Sequence, residues 1–216
     1  MDRNVETKYQ DLDRGGNESQ AQARRESLWT ATCQIEKRQA LTAEFTEAEA
    51  VVIGAGLAGI LTAYMLQKKG IDTLVVESGR IGGGTTGYTT AKLTSQHDLI
   101  YDRLITSLGK EKAQQYATAN QKAIDFFRQL IREKAIDCGL EDKPSYLYTS
   151  EKDKIKQLQK EAEAATKLGI PNTFLWGGDL TADNGWGLPF SVEAALRFHE
   201  QAQYHPLKFL KAIAEE

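Results

Sequence analysis

Residues 50–87 read AVVIGAGLAGILTAYMLQKKGIDTLVVESGRIGGGTTG, and their order of apolar, glycine and acidic positions decides the fold. Val51-Val52-Ile53 is an uncharged, largely β-branched run, the pattern of a strand buried on both faces of a parallel sheet. Gly54, Gly56 and Gly59 follow as G-x-G-x-x-G, the spacing that turns a strand tightly into a helix whose first N–H groups face an anion. Gly54 permits the turn, Gly56 removes a Cβ that would hold a pyrophosphate off the backbone, and Gly59 lets the helix lie close to the strand. Leu57, Ile60, Leu61, Tyr64 and Met65 then recur at helical spacing, and Gly70 suits a helix end. A second strand is expected over Ile71 to Val76, with Glu77 at its C-terminal end, 23 residues after Gly54. A carboxylate there can accept from a ribose 2′-hydroxyl, which favours NAD or FAD over NADP.

Two other readings of the same stretch remain open. Residues 50–66 carry no charge over 17 positions, so a short membrane span with small residues at Ala55 and Gly59 is conceivable. It sits at the lower length limit, is interrupted by three glycines and runs straight into a strand pattern. The other reading makes Glu77 an ordinary solvated strand end.

Ser78-Gly79-Arg80-Ile81-Gly82-Gly83-Gly84-Thr85-Thr86-Gly87 forms a second glycine-rich turn, with Thr89, Thr90, Ala91 and Lys92 close behind. A nicotinamide-binding unit has no need of it, because the first helix already holds the pyrophosphate. A longer cofactor laid across the sheet does. Glycines allow close backbone approach, and threonines can cap a helix whose positive end faces a phosphate or an isoalloxazine ring. Simple capping by Thr85 and Thr86 is the bland alternative, and it does not exclude cofactor contact.

These two glycine motifs resemble the FAD site of the D-amino-acid-oxidase-like (DAO) superfamily, which includes glycine oxidase and sarcosine oxidase. The longer matches SLWTAT, GGGTTGYTTAKLTSQHDLIYDRLI and LPFSVEAALRFHEQAQYHPLKFLKAIA are similar to a bacterial subgroup that joins a DAO-type domain to a C-terminal Rieske iron–sulfur domain. The resemblance covers about Glu26 to the last residue. Carried over by position, it implies flavin contacts at Gly54, Ala55, Gly56, Leu57, Ala58 and Gly59, and ribose contacts at Glu77 and Ser78. Arg80 falls within the second turn, Thr85 and Thr86 match the phosphate- and flavin-side pair, and Thr90, Ala91 and Lys92 match the segment under the isoalloxazine. Many members have glycine where Ala91 stands.

The resemblance implies an α/β fold: a Rossmann-like FAD-binding βαβ unit with an inserted α+β substrate domain, incomplete at its C-terminus. The divisions it suggests are a polar tail at 1–26, the start of the FAD-binding domain at 27–100, part of the substrate domain at 101–200, and the start of the return to the FAD-binding domain at 201–216. The strands that follow that return in the family are absent, as is any Rieske pattern of Cys and His pairs, so a fragment or truncated product is expected. The implied activity is transfer of a hydride from an amine, amino acid or similar small substrate to flavin, with electrons passing to oxygen or a Rieske cluster. No catalytic acid, base or nucleophile can be named. A truncated remnant that holds no flavin is the alternative, and an NAD-dependent dehydrogenase loses to the second glycine turn.

Composition sets the remaining bounds. The 216 residues are 41% apolar and 26% charged, ordinary for a globular chain, and the net charge of −3 argues against nucleic acid. The first residues are polar and unlike a signal peptide, and Cys33 and Cys138 read as two free thiols, so a cytoplasmic protein is expected. Met1 to about Arg25 is too polar to order itself alone. Ser27-Leu28-Trp29 is the first apolar anchor, with Trp29 packing on the domain surface outside the flavin site, and Cys33 to Ala48 an irregular lead-in.

Beyond the second turn, Ala91 to Leu108 is mixed, and His97 reads as a structural hydrogen-bonder more than a catalyst. Glu111 to Ile136 predicts an amphipathic helix with Tyr116, Ala119, Ala123, Phe127 and Leu130 inward, and Lys112, Gln121, Lys122 and Arg128 outward. Tyr146-Leu147-Tyr148-Thr149 predicts a strand. Glu151 to Leu168 predicts a charged helix striped by Ile155, Leu158, Ala162 and Ala165, with a solvated Lys/Glu face, ended by Gly169-Ile170-Pro171. Phe174 to Phe190, with Trp176, Asn184, Gly185, Trp186 and Pro189, is expected to give loops and edge strands. His205-Pro206 reads as a helix start. His199 and His205 lack metal-site spacing, so no metal is expected.

Overall fold

The computed structural model describes residues 26–42, 47–180 and 190–216. Strand β1 (Ala50–Ile53) runs into helix α2 (Leu57–Gln67), which returns to β2 (Thr73–Val76), while a short helix α1 (Leu28–Thr32) precedes the unit. β1 and β2 pair in parallel with Val51 opposite Leu74 and Ile53 opposite Val76, which is the βαβ arrangement the glycine spacing predicts. The second strand starts two residues later than expected, at Thr73.

The membrane reading of residues 50–66 falls here. The stretch is a strand, a turn and a helix of 11 residues, and 11 residues at about 1.5 Å each reach only half of a bilayer core of about 30 Å. No described helix is long and apolar enough to cross a membrane. The expectation of a strand buried on both faces also needs correction. Val52 is half-buried, but Val51 is 55% and Ile53 87% exposed. The sheet has two strands among the described residues, and the face of β1 that carries Val51 and Ile53 is largely exposed.

Strand β3 (Lys92–Leu93) is followed by α3 (Tyr101–Leu108) and the long α4 (Lys110–Glu133), then β4 (Glu141–Asp142), β5 (Ser145–Thr149), α5 (Ile155–Lys167) and β6 (Asn172–Trp176). β7 (Ala194–Phe198), β8 (Ala202–Gln203) and α6 (Pro206–Glu215) complete the chain. β8 lies between β3 and β4, and β7 lies between β5 and β6, all antiparallel. β6 is therefore an edge strand, as its turn-rich surroundings predict. Asn184, Gly185, Trp186 and Pro189, together with residues 1–25 and 43–46, lie outside the described residues.

Two apolar clusters hold these parts. One packs Ile60 and Tyr64 of α2 with Leu130 and Ile131 of α4 and Leu207, Leu210 and Ile213 of α6. The other packs Tyr101, Ala113 and Ala117 with Leu158 and Ala165 of α5 and Leu196 and Phe198 of β7. In α4 the buried small residues are Ala113 and Ala117, whereas Ala119 and Ala123 are exposed, a correction to the predicted stripe. Met65, which shares the helical spacing of the apolar residues of α2, is exposed as well.

Two charged residues assigned to solvated faces have structural posts instead. Arg128 contacts Asp142 at 2.8 Å and Asp125 at 3.3 Å, and it donates to the Glu200 and Gln201 carbonyls. Glu161 is 1% exposed. Its carboxylate accepts from the amides of Ile100, Tyr101 and Asp102 at 2.7–2.9 Å, satisfying the first N–H groups of α3, whose own cap residue Ile100 has no side chain able to do so. The α5 period alone could not show this, because the partner lies 60 residues away.

Glu161→Ala is expected to destabilise the fold by about 2–3 kcal/mol, since it orphans buried donors at a helix start. Urea denaturation reads the loss. A midpoint equal to the wild type would show that α3 does not depend on this cap.

Candidate flavin-binding site

The site begins with a backbone approach that only glycine allows. A Cβ on Gly59 would lie 1.9 Å from the Gly54 carbonyl oxygen, so α2 rests directly on the turn that leaves β1. Gly54 has φ +99°, which an L side chain rarely adopts. A Cβ there would point into open space, as would one on Gly84 in the second turn.

The two glycine turns lie against each other. The Gly82 amide donates to the Ala55 carbonyl at 2.9 Å, and the Leu57 amide donates to Thr86 Oγ1 at 3.0 Å. A Cβ on Gly56 would stand 3.3 Å from the same Thr86 hydroxyl. Thr86 belongs to a 3-10 turn at Thr85–Tyr88 whose cap is Gly84. Its hydroxyl thus takes one orphan N–H of α2, while the amides of Gly56, Ala58 and Gly59 have no partner among the described residues.

Glu77 is aimed into the mouth of the first turn. Its Oε2 accepts from the Ala55 amide at 2.8 Å and its Oε1 from the Gly79 amide at 2.9 Å, with the Ser78 hydroxyl at 3.4 Å. These contacts, the Ala55 bond foremost, hold its pKa below the ordinary 4.5. The side chain stays exposed, so its remaining lone pairs are open to a further donor.

Thr85, Thr86, Ala91 and Lys92 line one cavity of about 420 Å³ with Leu57 and Ala58. Thr90 and Ala91 line a neighbouring cavity of about 310 Å³ with Trp29, Cys138, Tyr204 and His205. Arg80 stands apart from both. It borders a third cavity with Cys33, Ile81 and Tyr88, and its side chain covers Gly83. Ala91 is buried at φ +57°, the left-handed region, which costs an alanine about 1 kcal/mol and gives a physical reason for glycine at this position.

The residues present fit a dinucleotide. Open space at Gly54 and Gly84, unpaired amides at the start of α2 and an ionised carboxylate beside them supply room, positive field and a hydroxyl acceptor. Sequence reasoning missed several other residues at the site. Asn120, Phe127 and Tyr204 line the 420 Å³ cavity, and their sequence signal is only that of ordinary positions in a helix and in the link between β8 and α6.

The three histidines have structural partners. His97 Nε2 lies 3.2 Å from Asn120 Oδ1, His199 Nε2 lies 2.8 Å from Thr173 Oγ1, and His205 Nδ1 accepts from the Lys208 amide at the start of α6. Cys33 and Cys138 are free thiols, and burial raises the pKa of Cys138. No group of three His, Cys, Asp or Glu among the described residues could hold a metal ion.

The sequence profile of the FAD dependent oxidoreductase family, DAO, matches residues 49–216. The chain belongs to that family. Among relatives of this chain, the putative Rieske 2Fe-2S iron–sulfur protein YhfW of Bacillus subtilis strain 168 is 39% identical over 191 residues, covering 88% of this chain and 36% of the relative. Gamma-glutamylputrescine oxidoreductase of Escherichia coli K12 is 27% identical over 165 residues, 76% of this chain and 37% of that protein. The chain thus spans a little over a third of the length of these DAO relatives. Glycine oxidase from Geobacillus kaustophilus superposes with a TM-score of 0.60 at 17% identity over 77% of this chain and 43% of that one, a likeness of DAO fold.

The lowered Glu77 pKa has a readable consequence. A carboxylate stabilised by amides in the folded state contributes stability above pH 4.5, and that contribution is lost as pH falls through its lowered pKa. The Ala55 amide resonance is expected to titrate with a midpoint below 4.5, and Glu77→Gln to abolish the titration. A flat Ala55 profile in an NMR pH series would show that the carboxylate does not engage the turn.

Proposed function

We propose that this chain forms the adenosine-diphosphate side of an FAD site in an oxidoreductase acting on the C–N bond of an amine or amino acid. The observation that carries this reading is the interlock of the two glycine turns around Thr86, with Glu77 at the mouth. Bound FAD supplies a ring that accepts a hydride equivalent from such a bond. The chain's own residues bind and orient. The amides of Gly56, Ala58 and Gly59 are assigned to the diphosphate, Glu77 with Ser78 to the ribose, and Thr85 and Thr86 to the flavin side of the diphosphate. Thr90, Ala91 and Lys92 are assigned to the segment beneath the ring, and Arg80 to the outer rim of the second turn.

The proposed substrate class is supported by relatives whose names specify gamma-glutamylputrescine and glycine as substrates of those proteins. The Rieske-named relative supports a Rieske iron–sulfur partner, on the same polypeptide or a separate one, as electron acceptor. We assign 27–100 and 201–216 to the flavin-binding part, 101–200 to the substrate part, and the cytoplasm as location.

A second reading, a chain that holds no flavin, is favoured by the exposure of Ile53 (87%) on the strand that leads into the first turn. An uncovered apolar edge strand invites association.

Mixing the purified chain with FAD and removing free ligand separates the readings. Retention of flavin absorbance is expected, with Glu77→Ala weakening FAD affinity roughly tenfold through loss of its acceptor oxygens. A colourless chain that also fails to bind NAD would establish the second reading, and NAD binding without FAD would establish a nicotinamide enzyme.

A further inference from the structure

We infer that α1, which lies outside the residues matched by the DAO profile, is a strap whose Trp29 and Ser27 position the second glycine turn for the cofactor. The inference rests on the FAD reading of the site. Ser27 Oγ donates to the Gly87 carbonyl, and Trp29 Nε1 donates to the Thr89 carbonyl at 2.7 Å. The two bonds fall on either side of Tyr88, so the strap grips the backbone between Thr86, which holds the start of α2, and Ala91, which borders the 420 Å³ cavity. The strap crosses 60 residues of sequence to make both contacts.

The strap is itself fixed at both ends. Ser27 and Thr30 form a capping box, with the Thr30 amide donating to Ser27 Oγ at 3.1 Å and the Ser27 amide to Thr30 Oγ1 at 3.0 Å. Thr30 also fills the space beside Gly87, where a Cβ would meet the Thr30 methyl at 3.3 Å and the Gly82 carbonyl at 2.7 Å. At the other end the Trp29 ring meets the His205 ring edge-on at 5.0 Å, and Thr32 Oγ1 lies 2.9 Å from His205 Nε2. Because His205 Nδ1 accepts from the Lys208 amide, the neutral imidazole carries its proton on Nε2 and donates it to Thr32. The second turn is thereby pinned to the start of α6 through Trp29. Gly82 is wedged against Leu207 and Leu210 of the same helix.

A turn held in its bound shape beforehand loses less entropy when ligand arrives. Without the strap, Gly82 through Gly87, with four glycines in six positions, would sample many backbone states. Trp29 and Ser27 therefore act on the cofactor through the Gly87–Thr89 backbone and are positioning residues.

Trp29→Phe keeps an aromatic ring beside His205 and removes the N–H donor together with one ring of the indole. In the full chain it is expected to raise the dissociation constant for FAD about fivefold by flavin fluorescence titration, the equivalent of one neutral hydrogen bond. It should also shift the bound-flavin absorption band toward that of free flavin. Gln114→Ala, which removes a comparable bond from α4 to the Leu168 carbonyl at the end of α5, is expected to leave FAD affinity and band unchanged. By linkage, FAD added to the wild type should slow amide exchange across Leu28–Thr32, a readout that needs no variant to fold. The strap is overturned if FAD binds Trp29→Phe and wild type alike, if Gln114→Ala weakens binding as much, or if FAD leaves α1 exchange unchanged. A wild-type chain that takes up no FAD overturns the flavin reading and the strap with it.

Discussion

The contact on which the site depends is the approach of α2 to the turn that feeds it, with Gly59 seated where any side chain would strike the Gly54 carbonyl oxygen. Close packing there sets the direction of the helix, and the helix direction sets where its first amides point. Thr86 then takes one of those amides and Gly82 takes the Ala55 carbonyl, so the second turn is placed by hydrogen bonds to the first. Two segments that are glycine-rich, and so costly to order, fix each other's geometry. The cost is offset by apolar packing behind them, where Leu207 and Leu210 of α6 press on Gly82 and α6 shares a cluster with α2.

How much of this was legible in the sequence follows how local each cause is. The strand–turn–helix–strand order of residues 50–77 depends on neighbours in the chain, and its glycines and acid stand where the structure uses them. Gly70 and Gly169, predicted to end helices, both have positive φ. His205-Pro206 starts α6 because the His205 side chain accepts from an amide three residues on, again a short-range cause. What stayed hidden is long-range. Glu161 caps a helix 60 residues away, Arg128 joins α4 to β4 and the β7–β8 link, and Trp29 reaches Thr89. Each looks in sequence like a surface residue, because charge or lone aromaticity says nothing about the partner. The burial of β1 was misjudged for the converse reason: its composition suits two covered faces, while the described sheet covers one.

The strand pairing shows how the site is closed from behind. β8 sits between β3 and β4, so the segment carrying Lys92 is tied to the segment that enters α6. Ser95 and Gln201 extend that tie, with the Ser95 amide donating to Gln201 Oε1 at 2.7 Å in a buried setting. A buried amide pair of this kind resists sliding of one strand past the other, since either shift orphans a donor or an acceptor. The left-handed Ala91 is therefore held by its surroundings, with the Tyr204 amide donating to its carbonyl at 3.2 Å. Its strain is offset by the register of β3 on β8.

Electrostatics at the first turn narrows the cofactor further. Glu77 accepts from the Ala55 and Gly79 amides, and those bonds hold its pKa below the ordinary 4.5. An ionised carboxylate at the end of β2 accepts from a neutral ribose hydroxyl but repels a ribose phosphate in the same place. On the proposed FAD reading, the diphosphate avoids the same repulsion because the amides of Gly56, Ala58 and Gly59, without a partner among the described residues, lie at the positive end of α2. On the FAD reading proposed above, one turn separates two anionic charges, the protein's own carboxylate and the ligand's diphosphate, by giving each its own set of amides. That division is the physical ground on which we propose a dinucleotide whose adenosine ribose carries no phosphate.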